Sequence, residues 1–378
     1  MRRGKLRRRI GIVRGIFPRA TQVEYAANFS KLKPVFISSN PSQEVKNLIK
    51  ELGLESCCLE IKEMYGVDLV RWLLGKQTHQ SWIGVEGLEE VSEGVDVLET
   101  HELYSLYSGQ TAQVAKKLGK PLVTEVWTSL AGHLGYKLPP YRWATKKVLR
   151  NTRLFVARSK GAAQALRKLG VEEERLITLY YGVNIDRFKP VKKKRDKDEL
   201  RVLFVGTLEW YKGVDFLLDI WGEIRKKQPR AKLWLVGKGS LLPQAKKTEG
   251  VRAVGYMEHK KLAAIYQQAD VFVSPSRDQY FGPWLRVAEY FSHTLMEAQA
   301  SGLPVVTTYC GGIPEEVGNN NWLVEQKDKE GLFKALVEVL GDRKKREKAG
   351  RENRQRAERL YDLNKQVKKL EVEIEKIC

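Results

Sequence analysis

The chain has 378 residues, 42% hydrophobic and 30% charged, with 67 Lys and Arg against 46 Asp and Glu for a formal charge of +21. That length is generous for one core and comfortable for two, and the mixed composition excludes a disordered or fibrous chain. No stretch approaches the roughly 18 uninterrupted apolar residues of a membrane span, and the four cysteines form no disulfide framework or metal-ligand spacing, which fits a reducing cytoplasm.

The positive charge points to anionic partners: nucleic acid, an anionic membrane surface or phosphorylated substrates. The sequence contains no RNP, zinc-finger or helix-turn-helix pattern that would turn charge into base reading. The basic N-terminus, MRRGKLRRRIGIVRGIF, starts like a signal peptide, but Arg14 and Pro18 interrupt any hydrophobic core, so it reads instead as a short basic arm or as an over-extended gene start before a first strand at Ile10.

In chain order, strands are expected at Ile10–Val13, Val35–Ser38, Val95–Thr100, Leu122–Val126, Leu154–Ala157 and Leu176–Tyr180. Helical stretches lie between them, Gly109–Leu118 and Lys160–Leu169 among them, the latter stopped by Gly170. Buried strands alternating with helices indicate a parallel, doubly wound sheet. Gly15, just after the first strand, permits close backbone approach to a phosphate, and serves equally as a plain turn residue. His101 ends a strand where side chains of an open sheet face the ligand crevice, although a lone histidine also fits a structural role. Leu69–Leu74 and Tyr141–Leu149 mix Trp and aliphatics with Arg or Lys, a composition shared by interfacial and ordinary amphipathic helices.

Lys192–Lys197 reads as a solvated linker, and the only Asp-x-Asp, Asp196–Asp198, falls in it. No metal requirement is therefore expected. The α/β pattern restarts with Arg201–Gly206 and a helix over Val214–Lys226. Lys212 lies in the loop between, where an ammonium can neutralise a diphosphate. Val271–Ser274 is a further strand, ended by Pro275, and Pro304–Tyr309 is another, with Gly311-Gly312 after it. Between these strands Glu289 and Glu297 bracket the start of a helix. Eight residues of helix span roughly 12 Å, too far for the ~5 Å carboxylate pair of a retaining glycosidase. They suit the two ends of one elongated ligand, and the spacing alone fits two solvated helix charges equally well. At the C-terminus Leu363, Val367, Leu370, Ile374 and Ile377 form a heptad-like stripe, fit for a helix packing back across the domains or for dimerisation.

Glu289-Tyr290-Phe291-Ser292 through Glu297-Ala298, then Ala300-Ser301-Gly302-Leu303-Pro304-Val305-Val306 and Gly311-Gly312-Ile313-Pro314-Glu315, resemble the donor-binding core of the family-4 retaining glycosyltransferases. Tyr181–Pro190 is similar to that family's GVD-x3-F-x-P segment, with Asn184 in place of the aspartate. The sequence departs from the pattern in having Ser292 for the usual glycine and extra residues over 277–288. That insertion carries a second near-match, Gln279-Tyr280-Phe281-Gly282, but only the Glu289 register has the family's distance to Ala300-Ser301-Gly302.

The resemblance implies a GT-B fold of two Rossmann-like, doubly wound domains: 1–190 on the acceptor side, a linker at 191–198, a nucleotide-sugar domain at 199–342, and C-terminal helices over 343–378. It implies retaining transfer of a sugar from a nucleotide diphosphate sugar to an unidentified acceptor, with no cofactor. His101, Glu289 and Lys212 would be the catalytic residues. Arg14, Gly15, Thr207, Lys212, Gly255, Tyr256, Met257, Ser292, His293, Thr294 and Glu297 would bind the donor. Glu297 would grip the ribose, Glu289 the sugar hydroxyls, and the Ser292–Thr294 amides with Lys212 the leaving diphosphate. Thr207 stands where relatives pair an arginine with the lysine, so Arg14 or Arg286 would complete the charge. Trp127 and Glu99 stand where relatives often have histidines, so the acceptor cannot be carried over. Two other readings remain open here: a basic protein binding nucleic acid or a membrane surface, and a catalytically silent partner subunit. Monomer and dimer are both compatible with the sequence.

Overall fold

The computed structural model describes residues 7–62, 84–191, 199–281, 284–287 and 289–378. Leu69–Leu74 and the Asp196–Asp198 linker therefore lie outside the described residues. The chain divides into two compact units, residues 1–180 with 364–378, and residues 181–363.

In the first unit, strands β1 (Arg9–Ile16), β2 (Lys33–Ser39) and β3 (Glu55–Cys58) precede a two-stranded pair, β4 (Ile61–Lys62) with β5 (Gly84–Val85). Strands β6 (Val97–His101), β7 (Leu122–Val126), β8 (Leu154–Ala157) and β9 (Leu176–Thr178) follow. β1–β3 and β6–β9 make one seven-stranded sheet, ordered β3-β2-β1-β6-β7-β8-β9 and parallel at each pairing. Strands such as VLETH and LVTEV are buried along almost their whole length, because helices cover both faces of a parallel sheet. β3 was not anticipated: ESCC lacks an apolar run, as suits a half-exposed edge strand.

The second unit repeats the architecture with β10 (Leu200–Val205), β11 (Ala231–Val236), β12 (Val251–Gly255) and β13 (Val271–Ser274). A hairpin of β14 (Gln279–Phe281) and β15 (Trp284–Val287) comes next, then β16 (Val305–Thr308) and β17 (Trp322–Val324). The parallel six-stranded order is β12-β11-β10-β13-β16-β17. The order reverses where β10 meets β13, the switch point beside which a doubly wound sheet opens its ligand crevice. The hairpin is the insertion at 277–288, and its root is pinned by two side chains. The Arg277 guanidinium donates to Asp215 at 2.5 Å and lies over the Phe216 ring at 4.1 Å. Asp278 accepts from Gln326 at 3.0 Å and Cys310 at 3.1 Å.

The boundary between units falls at Tyr180, earlier than the linker read from composition. The segment after it pairs with the second unit: Val183 N–H donates to Tyr361 O at 2.7 Å and Arg354 holds the Ile185 and Phe188 carbonyls. The C-terminal stripe is split off from that unit. In the helix Leu363–Ile377, Val367, Leu370 and Ile374 are fully buried. Buried Glu371 accepts the Ser30, Lys31 and Leu32 amides at 2.8, 2.6 and 3.0 Å, tying this helix to the first unit. Most of the stripe is thus buried within the chain, with Ile377 half-buried at its end.

Candidate active site

Each unit brings part of the expected set together. In the second, Lys212 closes a short 3-10 turn (Trp210–Lys212) between β10 and the helix Val214–Lys227. Its ammonium forms an ion pair with Glu289, whose Oε2 also accepts from Ser276 Oγ at 3.4 Å. Gln279 starts the hairpin instead, so Glu289 is the carboxylate placed at Lys212. The pair is half-accessible, with side-chain exposures of 26% and 18%, so a ligand can reach it.

The helix begins at His293 with Ser292 as its N-cap, so Glu289 lies in the approach to the helix and not on it. The helical spacing assumed from sequence does not apply to the two glutamates. What holds Glu289 in place is the glycine turn after β16. Gly312 N–H donates to Glu289 O at 2.7 Å, and a Cβ at Gly312 would collide with the Tyr290 carbonyl. Glu316, fully buried, accepts the Ser292 amide at 2.8 Å. Burial pushes the Glu316 carboxyl well above the usual range. The Ser292 amide is thus engaged and not among the donors left for a phosphate. Thr294 Oγ1 lies 2.9 Å from Ser292 Oγ, and the His293 ring meets Tyr181 edge-on at 5.0 Å.

Glu297 is 1% exposed. Its Oε1 lies 2.7 Å from His259 Nε2, while Arg187 reaches His259 Nδ1 at 3.2 Å. A guanidinium can only donate, so Nδ1 accepts and Nε2 carries the proton that goes to Glu297. Neither His259 nor Arg187 was anticipated. Each stands among other charged residues, Glu258-His259-Lys260-Lys261 and Asp186-Arg187, with nothing local to mark it, and only the fold brings His259 to Glu297 and Arg187 to His259. Thr207 is exposed, 3.4 Å from the Tyr211 hydroxyl. Gly255 ends β12, its carbonyl accepting from Gly237 N–H at 2.8 Å. Tyr256 follows with 57% exposure and Lys238 Nζ 4.7 Å from its ring, and Met257 is half-buried.

In the first unit a charged cluster sits under the C-terminal ends of β1, β6, β7 and β8. Arg14 pairs with Glu99 and reaches Glu125 at 3.5 Å, and Arg158 pairs with Glu125. Tyr25 donates to Glu99 at 3.1 Å, and both guanidinium groups lie over its ring, at 5.3 and 5.4 Å. All four charged residues are at most 2% exposed. Arg14, expected at the donor phosphates, therefore spends its charge on buried carboxylates. Burial drives the Glu99 carboxyl up to about 7 despite Arg14. At Glu125 burial pulls upward as well, but the Arg158 and Arg14 charges outweigh it and hold the group at about 2. The sequence signal for this cluster was a charged residue inside an otherwise apolar strand, in VLETH and LVTEV.

His101 stands beside the cluster, its Nε2 2.8 Å from the Tyr107 hydroxyl. Burial, aided by the Arg14 charge, lowers its pKa to about 3, so the ring is neutral at pH 7. Glu102 accepts the Trp127 and Thr128 amides at 3.0 and 3.1 Å, fixing the loop that presents Trp127. Gly15 has φ +63°, and a Cβ there would lie 2.5 Å from the Tyr107 ring. Gly15→Ala is expected to destabilise the protein by at least ~1–2 kcal/mol and to displace Tyr107 from His101; urea unfolding and the His101 NMR shifts would show both. Among the described residues no group of three or more His, Cys, Asp or Glu side chains is placed to hold a metal ion.

Residues 199–342 match the family profile described as Glycosyl transferases group 1, and residues 59–187 match that of Glycosyltransferase Family 4. The chain belongs to this glycosyltransferase family. Glycogen synthase of Mycobacterium tuberculosis is 30% identical over 190 residues, 48% of this chain and 44% of the relative. Sulfoquinovosyl transferase SQD2 of Arabidopsis thaliana is 26% identical over 276 residues, 66% of this chain and 50% of the relative. The chain spans about half the length of these curated relatives. Among solved structures, Anabaena HepE in complex with UDP and glucose superposes with a TM-score of 0.74 at 16% identity, covering 97% of this chain and 99% of that one. The glycosyltransferase thus has the GT-B fold.

Proposed function

We propose that this glycosyltransferase moves a sugar from a nucleoside diphosphate sugar to an acceptor not yet identified, with retention of anomeric configuration and without a metal. The Lys212–Glu289 pair carries this reading. It sets a cation for the leaving diphosphate beside a carboxylate for the sugar hydroxyls, at the approach to a helix N-terminus. Glu297, oriented by His259, would take the ribose end of the donor. The UDP and glucose bound by HepE support a donor of this class. Among the described residues no side chain near the pair is built as a nucleophile, and attack in this reading comes from the face the diphosphate leaves, with a phosphate oxygen taking the acceptor's proton.

Thermal-shift screening against UDP, GDP, ADP and their sugar conjugates tests the donor. A saturating ligand at about 100 times its Kd adds ~2.7 kcal/mol to stability, a shift of several degrees, expected for one base alone. No shift with any of them would overturn the assignment. Thr207 in place of an arginine and the inward-facing Arg14 favour a second reading, a donor-binding but silent subunit; the Arg286 side chain, the other expected cation, lies outside the described residues. Donor binding without transfer or hydrolysis would establish that reading.

A further inference from the structure

We propose that the helix Tyr141–Asn151 of the first unit docks on an anionic membrane surface through its outward face. Between Glu125 and Glu172 the chain has no acidic residue and ten Lys and Arg. The fold sorts these residues along the helix. Ala144, Thr145 and Val148 are buried, while Arg142, Trp143, Lys146, Lys147 and Arg150 are exposed. Positions 142, 146 and 150 follow each other at helical spacing of four, with 143 and 147 beside them, so the five form one continuous face.

Two large apolar groups stand out on this basic surface. Trp143 is 60% exposed and Leu138, in the turn leading into the helix, 49%. An exposed tryptophan flanked by cations is the arrangement that settles at headgroup depth, its ring among the acyl carbonyls and the ammonium and guanidinium groups among the phosphates. At the C-terminal end of the face, Arg150 and Arg153 open into a recess of about 620 Å³, with Lys116 on its other side. The recess has one acidic residue, Glu174, against five Lys and Arg. Two of the five are already committed. Lys120 donates to the Ser92, Glu93 and Val95 carbonyls, and Arg175 to those of Leu149 and Thr152. Lys116, Arg150 and Arg153 are the exposed cations left to receive a lipid phosphate. Among the described residues no helix is long and apolar enough to cross a membrane, so attachment by this face would be peripheral.

The test uses the full chain with phosphatidylglycerol-containing vesicles and pure phosphatidylcholine vesicles in a sedimentation assay. Each cation brought to an anionic surface multiplies affinity about fivefold. Arg142→Glu/Lys146→Glu is therefore expected to weaken binding to the anionic vesicles more than about twentyfold. The matched reversal Lys226→Glu/Lys227→Glu, on an exposed helix face of the second unit, is expected to leave it within about twofold. Quenching of tryptophan emission by brominated lipid should fall in Trp143→Phe. Unchanged melting temperatures would show that the variants fold. Absence of binding to anionic vesicles, equal losses in the two double variants, or undiminished quenching in Trp143→Phe would each overturn the proposal.

Discussion

Lys212→Ala is expected to lower turnover about 10²–10³-fold while leaving the protein folded. The two outcomes separate because the same ion pair matters differently to stability and to chemistry. With a quarter of the Lys212 side chain exposed, water screens its attraction to Glu289, so losing the pair costs at most about 1 kcal/mol of stability. In the proposed reaction, the ammonium would meet a charge that grows as the diphosphate leaves. A fixed donor there is worth roughly 2.7–4 kcal/mol of barrier. Steady-state kinetics with the donor found by thermal shift, beside a melting curve, give both readouts. Turnover by Lys212→Ala at the parent rate would remove Lys212 from the site.

Glu297 demands a gentler substitution, because it is buried against His259 and truncation would leave the imidazole N–H without an acceptor. Glu297→Gln keeps that hydrogen bond and removes only the charge, so loss of donor affinity in this variant would report on the proposed ribose contact and not on unfolding.

Arg158→Met is expected to destabilise the protein by about 3–5 kcal/mol, the largest single-residue stability loss predicted. The reason lies in what remains: Glu125 stays fully buried, with Arg14 3.5 Å away as its other ion-pair partner. Changing both partners, Arg158→Met with Glu125→Leu, is expected to recover most of the loss, because no uncompensated charge is left. Urea denaturation at pH 7 measures both. A single variant as stable as its parent would show that the cluster contributes nothing.

The same cluster gives the pH dependence its direction. Glu125 has a folded pKa of about 2, below the ordinary value of 4.5, so its contribution is present above pH 4.5 and is lost as pH falls toward 2. Glu99 acts in the opposite sense. Raised to about 7, it keeps its proton in the folded protein between pH 4.5 and 7 while the unfolded chain has released it, so stability declines across that interval as pH rises. His101, lowered to about 3, adds to acid lability, because the unfolded chain binds a proton below pH 6.5 that the folded ring refuses.

Much of this molecule is written in local pattern. Apolar runs of strand length alternating with amphipathic helices fixed two parallel sheets, and Leu122–Val126, Leu154–Ala157 and Val271–Ser274 needed no adjustment, since burial on both faces demands a mostly apolar run. The Glu289–Glu315 motif and Lys212 were legible for a similar reason: a turn, a helix start and a glycine pair impose their residue types over short distances. The pairing of charges was not legible. Arg14 was placed toward a ligand, yet its guanidinium is claimed by Glu99, 85 residues away in sequence, because a buried carboxylate needs a cation more than a solvated phosphate does. His259 came to Glu297, and the Leu363–Ile377 stripe to the first unit, by the same long-range selection. Sequence determines which side chains are apolar, charged or free to turn; only the tertiary structure decides which buried charge meets which, because desolvation makes each such group choose a partner and the fold sets who is within reach.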